Sequence, residues 1–304
     1  MSTSGSASGV STASAPRVGL WWGFVGVLAF SFTVPFTRFA TGALSPLFIG
    51  SGRAVVAALL AAAALALTRQ RIPSKRQWMR LAVVAAGIVI GFPLLTSFAL
   101  ASAPASHGAV VIALLPAATA VMATIRGRER PNRRFWIAAS LGALAAVVFA
   151  ALQHGGFGEI QGSDLLLFGA VIAAAIGYAE GGLLARELGA WQTVSWALVL
   201  SSPVMIALTL ISVAHEPPLA GPLEWMAFAY LGVVSMFLGF FAWYRGLAIG
   251  PMAQVSQVQL VQPVLSILWA ALFLREQIGW ATLVGAVAII VCAAVAVRSR
   301  ASAA

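Results

Sequence analysis

The stretch LASAPASHGAVVIALLP at residues 100–116 is answered by LAIGPMAQVSQVQLVQP at residues 247–263. The two lie 147 positions apart, and at that offset residues 78–129 correspond to residues 225–276. Trp78 matches Trp225, Pro104 matches Pro251, Pro116 matches Pro263 and Glu129 matches Glu276. In a chain this rich in Ala, Leu and Val, apolar matches carry little information. Each of these other residues is uncommon here, so their shared offset marks an internal duplication.

The duplicated segments are greasy. Of 304 residues, 61% are hydrophobic and 9% charged, whereas a soluble domain is nearer half apolar and a quarter charged. No soluble core hides that much apolar surface, so lipid is the expected solvent. The formal charge of +10 does not point to nucleic acid, because the basic residues sit in short runs between apolar segments, as orientation signals do. The single cysteine, Cys292, excludes an intrachain disulfide. Lys75 is the only lysine, which with the abundant alanine hints at a GC-rich bacterial genome.

A helix needs about 20 apolar residues to cross the hydrocarbon layer. Ten segments qualify: 18–37, 46–68, 81–101, 105–125, 135–152, 165–185, 191–214, 225–244, 252–274 and 278–297. The expected organisation is a disordered tail at 1–16, a first five-helix repeat at 17–153, a second at 163–298 and a tail at 299–304. The N-terminal stretch is not read as a signal peptide, since no basic region precedes the apolar run except Arg17. With the N-terminus in the cytoplasm, 15 of the 18 basic residues fall inside and two, Arg38 and Arg275, fall outside. That imbalance sets the expected direction, with both termini cytoplasmic in a bacterial inner membrane.

Five spans per copy is an odd number. Two similar copies must then lie upside down relative to each other, an all-α arrangement of ten transmembrane helices in two inverted repeats. Such a pair suits alternating access, because exchanging the conformations of the halves moves the cavity mouth across the membrane.

The motifs 100–116 and 247–263, with the run Leu274-Arg275-Glu276-Gln277-Ile278-Gly279-Trp280, resemble the drug/metabolite transporter superfamily, in particular its EamA-type branch, over roughly residues 18–297. The resemblance implies a ten-helix secondary carrier whose helices 1, 3, 4, 6, 8 and 9 surround a central cavity, with export of amino acids or other small metabolites as a common activity. Positions 97 and 98, Ser and Phe, do not match Tyr244 and Arg245. The halves have diverged there, which fits an asymmetric substrate.

Several polar residues interrupt the spans. Glu180 extends the small-residue stripe Gly169, Ala173 and Gly177, so it should face protein; it is a candidate proton carrier, a cation-binding group or a structural carboxylate. Its repeat mate, Thr33, is not acidic. Arg53 shares a helix face with Ala57, Ala61 and Ala64; it can snorkel, pair with an acid or bind a substrate carboxylate. Arg245 is a candidate for steering anions at the inner mouth or an ordinary inside-positive residue. Thr33, Thr96, His107, Tyr178, Glu180, Tyr244, Gln254 and Gln257 are the expected substrate contacts, with Tyr244 also open to an aromatic-belt role and the glutamines to interhelical bonding. Pro116 and Pro263 are candidate hinges or static kinks.

No Gly-x-x-x-x-Gly-Lys, Cys-x-x-Cys or His-Glu-x-x-His motif occurs. His107, His154 and His215 fall on separate segments, so no metal site or cofactor is expected. The sequence therefore reads as a secondary active exporter of a small metabolite or amphiphilic compound, with protons as the coupling ion and lipid as its surroundings. An uncoupled facilitator is the nearest alternative. A membrane-embedded lipid-modifying enzyme would need clustered acids or histidines that the sequence lacks.

Overall fold

The computed structural model describes residues 15–153 and 161–275, with positions 280, 284, 287, 288, 291, 292, 295 and 298 beyond them. Residues 1–14, the tail at 299–304, Glu276 and most of the expected tenth span, 278–297, lie outside the described residues, while Ala15 and Pro16 of the expected N-terminal tail begin the first helix.

The described residues form helices and no strand. α1 (Ala15–Ser31) and α2 (Thr33–Ala40) make one broken span, followed by α3 (Pro46–Leu67). α4 (Lys75–Val84) runs through a π-helical segment, 85–91, into α5 (Phe92–Ser102). α6 (Ala105–Ile112), α7 (Leu115–Gly127) and α8 (Arg133–Gln153) complete the first repeat. The second contains α9 (Gly162–Leu188), α10 (Ala190–His215), then α11 (Pro222–Tyr230), a π-helical segment at 231–238 and α12 (Gly239–Ile249). α13 (Met252–Gln257) and α14 (Val261–Leu274) follow, joined by a 3₁₀ turn at 258–260.

Among the described residues, seven helical stretches are long and apolar enough to cross a membrane. Their outward faces carry Leu59, Ile172, Leu210 and Met226 in exposed positions, surface that lipid covers and water would not. The chain is a multi-pass membrane protein. The expected fifth span is the single helix α8. The expected fourth, 105–125, is divided, because α6 stops at Ile112 and α7 starts at Leu115. Pro116 lies in the first turn of α7, where its missing N–H is no loss, and it could not have donated inside a continuous helix. The 3₁₀ turn before Pro263 marks the same place in the second repeat.

The offset of 147 holds in three dimensions to within one residue. α4, its π segment and α5 begin at 75, 85 and 92; their counterparts begin at 222, 231 and 239. Arg128 (φ 53°) and Arg275 (φ 57°), one offset apart, both take the left-handed conformation. Packing is reciprocal as well. α1 lies along α12 while α9 lies along α5, and the repeat mates α3 and α10 pack on each other.

Prolines inside spans free backbone carbonyls, and neighbouring hydroxyls take them up. Pro35 cannot donate to Ser31 O, and Ser266 Oγ donates there instead at 2.6 Å. Pro203 leaves Val199 O open, and Ser202 Oγ donates to it at 2.8 Å.

Candidate functional site

Both π segments face the middle of the bundle, where they help line a small cavity. Its walls are Phe30, Thr33, Arg53, Ile88, Phe92 and Pro93 from the first repeat, and Tyr178, Ser235, Met236, Phe240 and Gln262 from the second. A π turn inserts one residue into the helical ladder and re-aims the side chains around it, a distortion that recurs at functional sites. Ile88 belongs to one such segment, Ser235 and Met236 to the other.

The wall is tied across the repeats. Thr33 Oγ1 and Ser235 Oγ share a hydrogen bond of 2.7 Å. Phe30 packs on Phe240 with ring centroids 4.9 Å apart, and Tyr178 lies 6.0 Å from Phe240. Gln262 Nε2 donates to Phe30 O at 3.5 Å.

Arg53 does not snorkel. It is 1% exposed, its Nη2 donates to Thr96 Oγ1 at 3.3 Å, and its Nε has no partner. Thr96 Oγ1 is itself committed as a donor to Phe92 O at 2.6 Å. α3, the expected second span, thus reaches the cavity through Arg53, whereas α6 and α7, the expected fourth span, supply none of the lining residues.

Glu180 sits apart from that lining, in an ion cluster at one end of the bundle. Its carboxylate takes the guanidinium of Arg80 on one oxygen and that of Arg126 on the other, with Arg126 Nε at 3.1 Å. Arg80 also pairs with Glu187. Nearby, Glu129 receives the backbone N–H groups of Met252 and Ala253, both at 2.8 Å, and lies 3.8 Å from Arg186. A carboxylate at the start of a helix satisfies donors that have no partner within it and favours the positive end of the helix dipole. Every one of these pairs joins the first repeat to the second.

The other expected contacts are dispersed. His107 bonds Asp164, another link between repeats, at the end of the bundle opposite the Glu180 cluster. Tyr244 is fully buried, donates its hydroxyl to Gly177 O at 3.2 Å and packs against Gly181, so it is not an aromatic-belt residue. Arg245 lies exposed over the Trp22 ring, 5.1 Å from its centroid. Gln257 Nε2 donates to Pro116 O at 3.2 Å, which joins α13 to α7 next to one expected hinge. Gln254 is half-buried near the start of α13. Of the expected contacts, only Thr33 and Tyr178 line the cavity, with Thr96 one bond behind.

Sequence reading missed Phe30, Ile88, Phe92, Ser235, Met236 and Phe240. Their chemistry is that of ordinary span residues, and only the π distortions single some of them out.

A partly polar cavity lined by both halves of a duplicated helical bundle is an arrangement that membrane transporters share. The EamA-like transporter family model matches residues 17–151 and 161–298, and the chain belongs to that family. It is 44% identical over 276 residues to "Uncharacterized transporter YdeK" of Bacillus subtilis (strain 168), an alignment covering 91% of this chain and 96% of the relative. A protein of known crystal structure shares the fold, with a TM-score of 0.72 at 23% identity over 94% of this chain and 97% of the other.

Proposed function

We propose that this transporter is a secondary active carrier of a small metabolite, built from ten helices in two inverted five-helix repeats and working by alternating access in a bacterial inner membrane. Export is the proposed direction, with the proton as coupling ion and both termini in the cytoplasm. One observation carries the reading: residues of both repeats wall the central cavity, while ion pairs that all cross between the repeats close one end. Separating the halves at that end breaks those pairs and opens a path to the cavity. The reciprocal packing of α1 on α12 and α9 on α5 supports a two-fold relation, and an odd number of spans per repeat makes that relation an inversion.

Spin labels at Met79 and Ile249 report on the ion-paired end, and labels at Ala43 and Leu219 on the other, in a Cys292→Ala background. Across a pH series in proteoliposomes the two distances are expected to change in opposite senses. A single unchanging distance at each end would refute alternation. Flux of a transported solute that ignores an imposed pH gradient would favour the uncoupled facilitator.

A further inference from the structure

Among the described residues, Arg53 is a cation without a counter-ion. No described carboxylate lies within ion-pair distance of it, and the lining contains no Asp or Glu. The described acids are occupied or remote: Glu180 and Glu187 hold Arg80 and Arg126, Glu129 holds the start of α13, and Asp164 holds His107. Glu216 and Glu224 lie in and beside the segment joining α10 to α11. A guanidinium buried this completely is retained at a cost unless something neutralises it. Its planar fork of donors matches a carboxylate, and here one nitrogen has no partner while another makes a single long bond to a hydroxyl already engaged elsewhere.

We infer that the central cavity, widened as the two halves part, takes a small organic monoanion, with Arg53 gripping its carboxylate and the Phe30, Tyr178 and Phe240 rings packing on an apolar body. This rests on the carrier reading and narrows it. An ammonium group finds no acid in the lining, so a cationic compound adds to the charge already buried, and a zwitterion leaves its positive end without an ionic partner. A monoanion brings the site to neutrality. Thr33 and Ser235 are bonded to each other, which leaves Arg53 as the strongest unsatisfied donor for the ligand.

Benzoate, benzamide and benzylamine share one ring and differ in charge, so they form the test. With the purified full-length protein in detergent, benzoate is expected to raise the melting temperature saturably, and the other two and matched sodium chloride to leave it unchanged. Arg53→Gln is expected to weaken benzoate binding at least tenfold, and Arg53→Lys to weaken it less. Equal effects of benzamide and benzoate in the wild type would overturn the inference, whatever the variants do. So would a folded Arg53→Gln protein with unchanged affinity, or chloride competing as well as benzoate. Proteoliposomes separate this claim from the carrier reading. Benzoate binding without benzoate flux contradicts transport while leaving the anion site standing. Flux of other solutes with no benzoate binding removes the anion site alone.

Discussion

Replacing Glu180 with Gln is expected to open the ion-paired end of the bundle. Glu180 is 2% exposed and is the common partner of Arg80 and Arg126. The amide keeps the shape but removes the charge, leaving Arg80 with only Glu187, itself half exposed. Breaking one side of a buried pair costs about 3–5 kcal/mol. Arg126 is 51% exposed and recovers part of this from solvent, so about 2 kcal/mol is the expected loss in the closed state. That corresponds to a roughly 30-fold shift toward the open form. Val84 is buried on the same helical line as Arg80 and Ile88, one turn from each, between the cluster and the cavity. In a Cys292→Ala background, a cysteine at Val84 should therefore react with a thiol reagent about 30-fold faster once Glu180 is neutralised. Glu180→Asp keeps the charge and should restore most of the protection. Unchanged labelling in folded Glu180→Gln protein would remove Glu180 from the gate.

How much of this was legible beforehand depended on distance along the chain. The duplication was readable because Trp78, Pro104, Pro116 and Glu129 reappear at a single offset. The same offset joins Arg128 to Arg275, each before a matched glutamate, but nothing in the sequence foretells that both take the left-handed conformation. The stripe through Gly169, Ala173 and Gly177 is a protein contact, as its small residues predict: Ala173 and Gly177 pack on the π segment at 85–91, and Gly169 on Leu95 of α5. The partners of Glu180 were not legible. Arg80 and Arg126 look like ordinary inside-positive residues, and they lie 100 and 54 positions away from it. Arg53 was ambiguous for a related reason: at seven residues into α3 it is close enough to a helix end to snorkel. Its burial is decided by elements far along the chain, with the π segment at 231–238 and α10 packed against α3. The π segments themselves have no sequence signature. AAGIVIG and LGVVSMFL share almost nothing beyond being apolar, so the shared distortion follows from the symmetry of their packing.

That symmetry concentrates at two backbone crossings, and a methyl group at either is expected to destabilise the fold. A Cβ on Gly87 would stand 2.4 Å from Ala173 O and 3.1 Å from Gly177 Cα. At the reciprocal crossing, a Cβ on Gly246 would meet Gly23 N at 2.7 Å and Gly19 O at 2.8 Å. The obstacles are main-chain atoms of a packed helix, not the ends of side chains that can rotate away. The helices must separate, and overpacking of this kind costs about 1–3 kcal/mol. Gly87→Ala and Gly246→Ala should each lower the melting temperature of the detergent-solubilised protein. Gly162→Ala, with nothing within 4 Å of its Cβ, should leave it unchanged. The first crossing also adjoins the cavity, since Ile88 and Tyr178, the residues next to Gly87 and Gly177, both line it. Gly87→Ala should therefore weaken ligand binding as well as stability, whereas Gly246→Ala should act chiefly on stability. Wild-type melting in both variants would show that neither crossing is as tight as the backbone distances require.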